Sequence, residues 1–114
     1  MMIVRNSKEL SAAERYHLTM SPAIQKMKDA KGANLSVCAW CVYEDEDKDG
    51  KKQIILSILT KEGEIFATNS KTFIDDFVKM WDLFAECGET VNSINVVSGF
   101  SKANREYITC VFAD

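Results

Sequence analysis

From Leu35 the chain alternates apolar and polar positions with a period of two, the mark of extended strands. Leu35, Val37, Ala39, Cys41 and Tyr43 fall on one parity, and Trp40 and Val42 on the other. A first strand with apolar groups on both faces is therefore expected, either central in a sheet or covering a ligand surface. The acidic stretch Glu44 to Asp49, closed by Gly50, predicts a turn. A second strand follows over Gln53 to Thr60, with Ile54, Leu56 and Ile58 on one face. Glu62-Gly63 predicts a tight turn, and Glu64 to Thr68 a short third strand. The period then lengthens. Phe73, Phe77, Met80, Trp81 and Phe84 recur at three- and four-residue steps, with Ile74 and Val78 widening the stripe, which predicts an amphipathic helix. Thr72 with Asp75 is read as its start, and Gly88 as its stop. Val91 to Gly99 and Arg105 to Phe112 predict two more strands, with Ile94 and Val96 inward on one and Ile108, Cys110 and Phe112 inward on the other.

The order over residues 35–113 is thus β-β-β-α-β-β. A helix between the third and fourth of five antiparallel strands is how an OB-fold closes the bottom of its barrel. A ferredoxin-like fold would need a helix after its first strand, and none is predicted. The fold class expected is all-β with added helices, an OB-fold-like five-stranded barrel over residues 35–114 preceded by a short helical arm over residues 1–34. In the arm, Ser11 and Glu14 are spaced as a capping box. Ser21-Pro22 predicts a second helix start, running through Ile24 and Met27 and ending at Gly32.

With 114 residues, one domain with a real core is expected. No apolar run approaches the roughly 18 residues of a membrane span, and no signal-peptide pattern opens the chain, so a soluble cytoplasmic protein is expected. Reduced thiols at Cys38, Cys41, Cys87 and Cys110 follow from that compartment. The net charge of −3 hides an asymmetry. Residues 1–34 carry six basic and three acidic side chains, whereas residues 35–114 carry eight and fourteen. Lys26, Lys28 and Lys31 of the basic arm are placed to extend a phosphate track or to meet a neighbouring subunit.

Cys38-Ala39-Trp40-Cys41 has the spacing of a C-x-x-C, but on a regular strand positions three apart face opposite ways. A zinc site would want a second pair, and His17 is the only histidine. Asp45-x-Asp47-x-Asp49-Gly50 imitates the start of a calcium loop, yet Leu56 stands where the bidentate glutamate should be. No nucleophile elbow, P-loop or dinucleotide fingerprint occurs. No metal, cofactor or catalytic residue is expected, and the chain is read as a binding protein rather than an enzyme. The remaining constellation is aromatic and basic. Trp40 and Tyr43 stand near Lys48, Lys51 and Lys52 at the first loop. Phe100, Lys102, Arg105 and Tyr107 gather around the last. OB-folds hold oligonucleotides between those loops, through base stacking and cations along the phosphates. The alternative is that Trp40, Tyr43 and Phe100 are core residues packed under the arm.

The segment from the second strand to the last also resembles a known family. Ile-Leu-Thr-Lys-Glu-Gly-Glu-Ile-Phe at 58–66, Ser70-Lys71-Thr72 opening the helix, and Val96-Val97-Ser98-Gly99-x-Ser101-Lys102 before an aromatic strand are similar to small phage single-stranded DNA-binding proteins, those of protein-primed Bacillus phages in particular. The likeness spans about residues 52–112. It implies sequence-non-specific coating of displaced strands during phage or prophage replication, without cofactor, metal or membrane, and it adds Phe66 and Lys71 to the expected DNA-binding residues. A homo-oligomer is left open as a second partner. The rival expectations are an adaptor OB-like domain of a mobile element that binds protein, and a small enzyme acting on a nucleotide. The arm at 1–34 has no counterpart in that likeness.

Overall fold

A computed structural model describes residues 1–114. Its elements are β1 (Met2–Asn6), α1 (Ala12–Thr19), β2 (Gln25–Lys26), a 3-10 turn (Met27–Ala30), β3 (Asn34–Glu46), β4 (Lys52–Thr60), β5 (Ile65–Thr68), α2 (Lys71–Glu86), β6 (Ser93–Phe100) and β7 (Glu106–Phe112). The seven strands form one curled sheet in the order β2-β5-β4-β3-β6-β7, with β1 paired to β3. Only the β2–β5 pairing is parallel. The result is a half-barrel, β-rich with two α-helices. No helix is long and apolar enough to cross a membrane.

The 13-residue β3 is the shared member. Asn34 to Ser36 pair with β6, whereas Val37 to Glu46 pair with β4, and Cys41 to Glu44 carry β1 on the other edge. A register shift between Val37 and Ala39 inserts Cys38 as a bulge, which bends the strand and reverses its parity. Leu35 and Val37 therefore face inward with Trp40 and Val42, and Ala39, Cys41 and Tyr43 face outward. Leu35, Val37, Ala39, Cys41 and Tyr43, which the alternation sets on one parity, are thus split between two cores, and apolar groups do occupy both faces of the strand.

The inner core is the larger, 17 buried residues between the concave sheet and α2. Ser70 caps that helix, its hydroxyl accepting from the Phe73 N–H at 3.3 Å. The start expected at Thr72 lies inside the helix, because the hydroxyl in extended backbone two residues earlier is the one that reaches the orphan donor. Gly88 ends it at φ +73°, as its Gly position after the apolar stripe predicts. Trp40 stands edge-on to Phe77 and Trp81, both at 5.2 Å between ring centroids. The outer core is smaller: Leu10 and Leu18 cover Ala39, Cys41, Tyr43 and Ile65. Helix α1 has the expected capping box, with Ser11 Oγ accepting from the Glu14 N–H at 3.1 Å and Glu14 Oε1 from the Ser11 N–H at 3.0 Å.

Two segments of the arm depart from expectation. Met2–Asn6 is an edge strand on β3. Arg5 pins it to α2 through a two-pronged bond to Asp82 at 2.9 and 3.3 Å, while its guanidinium lies 5.8 Å from the Trp40 ring centroid. Hydrogen bonding between the two holds the Arg5 pKa above and the Asp82 pKa below their ordinary ranges. The helix expected from Ser21-Pro22 is a single turn, followed by β2 and the 3-10 turn. Ile24 packs on the outer core and the fully buried Met27 in the inner one. A continuous helix would set residues three apart on one side; the chain here has to cross the sheet edge between them.

Candidate functional site

The sheet does not close. Between the β2–β5 edge and β7 lies a cleft of about 560 Å³. One wall is built by β2, the 3-10 turn and the ends of β4 and β5, which bring Lys26, Lys28, Gln53, Ile55 and Asn69 to it. Glu106, Tyr107 and Ile108 of β7 form the other. Ser70, at the head of α2, stands at the junction. The cleft combines apolar side chains, amides, hydroxyls and two lysines that make no ion pair. Its one carboxylate, Glu106, is neutralised by Lys31, whose Nζ lies 2.9 Å from both oxygens. Lys31 thus ties the 3-10 segment to β7 across the opening.

The aromatic wall is set by a glycine. Tyr107 pairs with Gly99 across the β6–β7 ladder. A Cβ at Gly99 would stand 2.7 Å from the Tyr107 hydroxyl and 2.8 Å from its ring carbon Cζ, so the ring lies over the backbone where a side chain would be. Tyr107 keeps 41% of its surface exposed, and Phe100, at the end of β6, keeps 67%. Two residues along β7 from Tyr107, the Thr109 hydroxyl is bonded to the Asp76 carboxylate of α2, fixing helix to strand.

The expected site residues divide into two groups. Trp40, Tyr43 and Phe66 are not available to a ligand: they are 0%, 4% and 6% exposed. Trp40 and Phe66 belong to the inner core and Tyr43 to the outer one, so the core alternative holds for Trp40 and Tyr43 and fails for Phe100. Burial pushes the Tyr43 hydroxyl up to about 12. Lys51, Lys52, Lys71, Phe100, Lys102, Arg105 and Tyr107 are exposed. Of these, Tyr107 lines the cleft, and Lys52, Lys71 and Arg105 are sequence neighbours of residues on or beside its walls. Lys52 is drawn toward Glu44 of β3 at 3.9 Å. Phe100 and Lys102 belong to the β6–β7 hairpin end, where Asn104 adopts φ +59°.

Sequence reading did not pick out Gln53, Asn69 or Ser70 as site residues, since polar residues at strand ends and helix caps are commonplace. The one available signal was Gln53 sharing the parity of Ile55 on β4 while staying polar.

Of the acidic stretch expected to turn, Glu44 to Glu46 still belong to β3 and pair with β4, and the hairpin turn starts only at Asp47. Asp47 Oδ1 accepts the backbone N–H groups of Asp49 and Lys51, each at 2.9 Å, and Gly50 supplies the positive φ of +79°. The carboxylate is thereby committed to shaping the turn.

All four cysteines are free, and the bulge does not bring the C-x-x-C thiols together: Cys38 is exposed and Cys41 lies under α1. Burial raises the thiol of Cys41 to about 11 and that of Cys110 to about 12. With thiolate as the reacting species, two thiols, Cys38 and Cys87, are expected to react promptly with Ellman's reagent at pH 8. Cys41 and Cys110 should react only after denaturant is added. The same shifts have a sign for stability. Between about pH 9 and the raised values the unfolded chain releases protons that the fold retains, so stability falls as pH rises through that window.

No protein-family model, no curated protein and no solved structure matches the chain.

Proposed function

We propose that this protein binds single-stranded DNA in the cleft between the β2–β5 edge and β7, without base specificity, as a coating protein of displaced strands in phage or prophage replication. The observation that carries the reading is the cleft itself: an open seam with free Lys26 and Lys28 on one wall and the exposed ring of Tyr107 on the other. Cations along a groove beside an aromatic face are the requirements of non-specific single-strand binding. The strand order supports an OB-like reading of the half-barrel. Taken from β3 on, β5-β4-β3-β6-β7 is the order of an OB barrel with its last seam left open, and α2 lies between its third and fourth strands. The cleft falls at that seam, flanked by the β3–β4 and β6–β7 turns. The likeness of residues 52–112 to phage single-strand binders agrees with it.

The core of the outer face sharpens the location. Helix α1 covers Ala39, Cys41 and Ile65, which leaves only the Gln53–Ile55 end of β4 and the Ala67–Asn69 end of β5 open to a strand. A protein-binding adaptor is the second reading, favoured by the exposed Leu83, Val111 and Phe112 on α2 and β7.

Neither tryptophan lines the cleft, so binding is read on the nucleic acid: anisotropy of fluorescein-labelled oligo-dT, at 50 and 200 mM salt. With Lys26, Lys28, Lys71 and Arg105 neutralising about four phosphates, affinity should drop roughly 50-fold between the two. Absence of binding at low salt and micromolar protein would remove this reading and leave the adaptor.

A further inference from the structure

Gln53 and Asn69 stand side by side at the cleft, joined by a hydrogen bond of 3.2 Å from Asn69 Nδ2 to Gln53 Oε1. They come from different strands' ends, 16 residues apart, and meet because β4 and β5 pair antiparallel around the Glu62-Gly63 turn. Tied in this way, each amide keeps unused capacity. Gln53 retains an NH₂ group with two donors, and Asn69 retains a carbonyl acceptor. The pair therefore leaves amide donors on Gln53 and a carbonyl acceptor on Asn69 free for a ligand, among the residues that line the cleft with Tyr107.

Every unpaired base shows a complementary array on its Watson–Crick edge. Adenine and cytosine place an amino donor beside a ring-nitrogen acceptor; thymine and guanine place a carbonyl acceptor beside an N–H donor. If both amides turn over together, Gln53 donates to Asn69 and the array is presented in the reverse order. The two orders are equivalent in bonding within the pair and suit both classes of base.

Resting on the single-strand reading above, we infer that Gln53 and Asn69 form a reversible amide pair that reads the free Watson–Crick edge of any base, and so selects unpaired strands without selecting sequence. In a duplex those edges are occupied by the partner strand, and neither the amide contact nor stacking on Tyr107 can form. Phosphate contacts from Lys26 and Lys28 serve either kind of strand; the amide pair discriminates between them.

The probe is a pair of labelled oligomers that stack alike but differ at that edge: oligo-dT, and the same length of N3-methylthymidine, whose N3 donor is replaced by a methyl group. The native protein should bind oligo-dT about tenfold more tightly than the methylated strand, and oligo-dT, oligo-dA and oligo-dC within about threefold of one another. Gln53→Met with Asn69→Leu should bind oligo-dT and its methylated form alike, at the weaker affinity, with an unchanged thermal melt since neither side chain is buried. Equal binding of the two oligomers by the native protein overturns the inference while leaving single-strand binding intact. So does a preference for one base that the double substitution abolishes. Failure to bind any oligomer instead removes the single-strand reading on which the inference rests.

Discussion

Replacing Trp40 by alanine should remove a large share of the protein's stability and lower its melting temperature sharply. The indole is fully buried, edge-on to Phe77 and Trp81, and Arg5 lies over its face. Truncations of this size cost about 3–5 kcal/mol through lost transfer energy and the cavity left behind. Total stabilities of single domains run about 5–15 kcal/mol, so the loss is a large share of what is available. A melt followed by circular dichroism should fall by more than roughly 10 °C. Trp40→Phe gives the sharper comparison. The buried Nε1 has no hydrogen-bond partner, so phenylalanine forfeits packing volume and no polar contact. It should recover more than half of the loss. A Trp40→Ala protein with a native melt would mean that the ring is peripheral, contrary to its place between β3 and α2.

The second large effect is expected on affinity rather than stability. Stacking of a base on an aromatic side chain is worth about 1–3 kcal/mol, so Tyr107→Ala should weaken oligo-dT binding by roughly 5- to 150-fold. The melt should change little, because the ring is 41% exposed. Tyr107→Phe should bind nearly as well as the native protein. Gly99→Ala should reproduce part of the defect with Tyr107 itself retained, since its methyl group would displace the ring from the space that the Tyr107 Cζ and hydroxyl occupy. Unchanged affinity in Tyr107→Ala would place the bound strand elsewhere than the cleft.

The regular elements from β3 to β7 were legible because each carries a periodic apolar face long enough to read. Helix α2 shows Phe73, Phe77 and Phe84 at helical steps, and β4 alternates through Leu56 and Ile58. Two kinds of information were not local. Met2 to Asn6 has no alternation worth reading, and it is a strand only because β3, more than thirty residues away, offers it an edge. The bulge at Cys38 has no sequence mark either, yet it decides which side of the sheet receives Trp40 and which receives Tyr43. Both residues have the composition of a stacking platform and both serve as core. The cleft was illegible for the same reason: Lys26, Gln53, Asn69 and Tyr107 are spread over more than eighty residues and converge only when the sheet curls. What the sequence did expose was the aromatic-basic character of the last hairpin, and Tyr107 is the residue of it that reaches the cleft.

The sharing of β3 has a consequence for synthesis on the ribosome. Its first three residues pair only with β6, whose matching segment Ser93 to Asn95 is translated almost sixty residues later. At about 5–20 residues per second, that leaves β3 with an unmatched edge for about 3–12 s after it emerges. Over that interval Leu35 has no strand beside it, while β1 is already available for the far end of β3. The early-made edge strand thus blocks the Cys41–Glu44 part of a sticky border during the period when a second nascent chain could pair with it, a protective task that the finished molecule no longer displays.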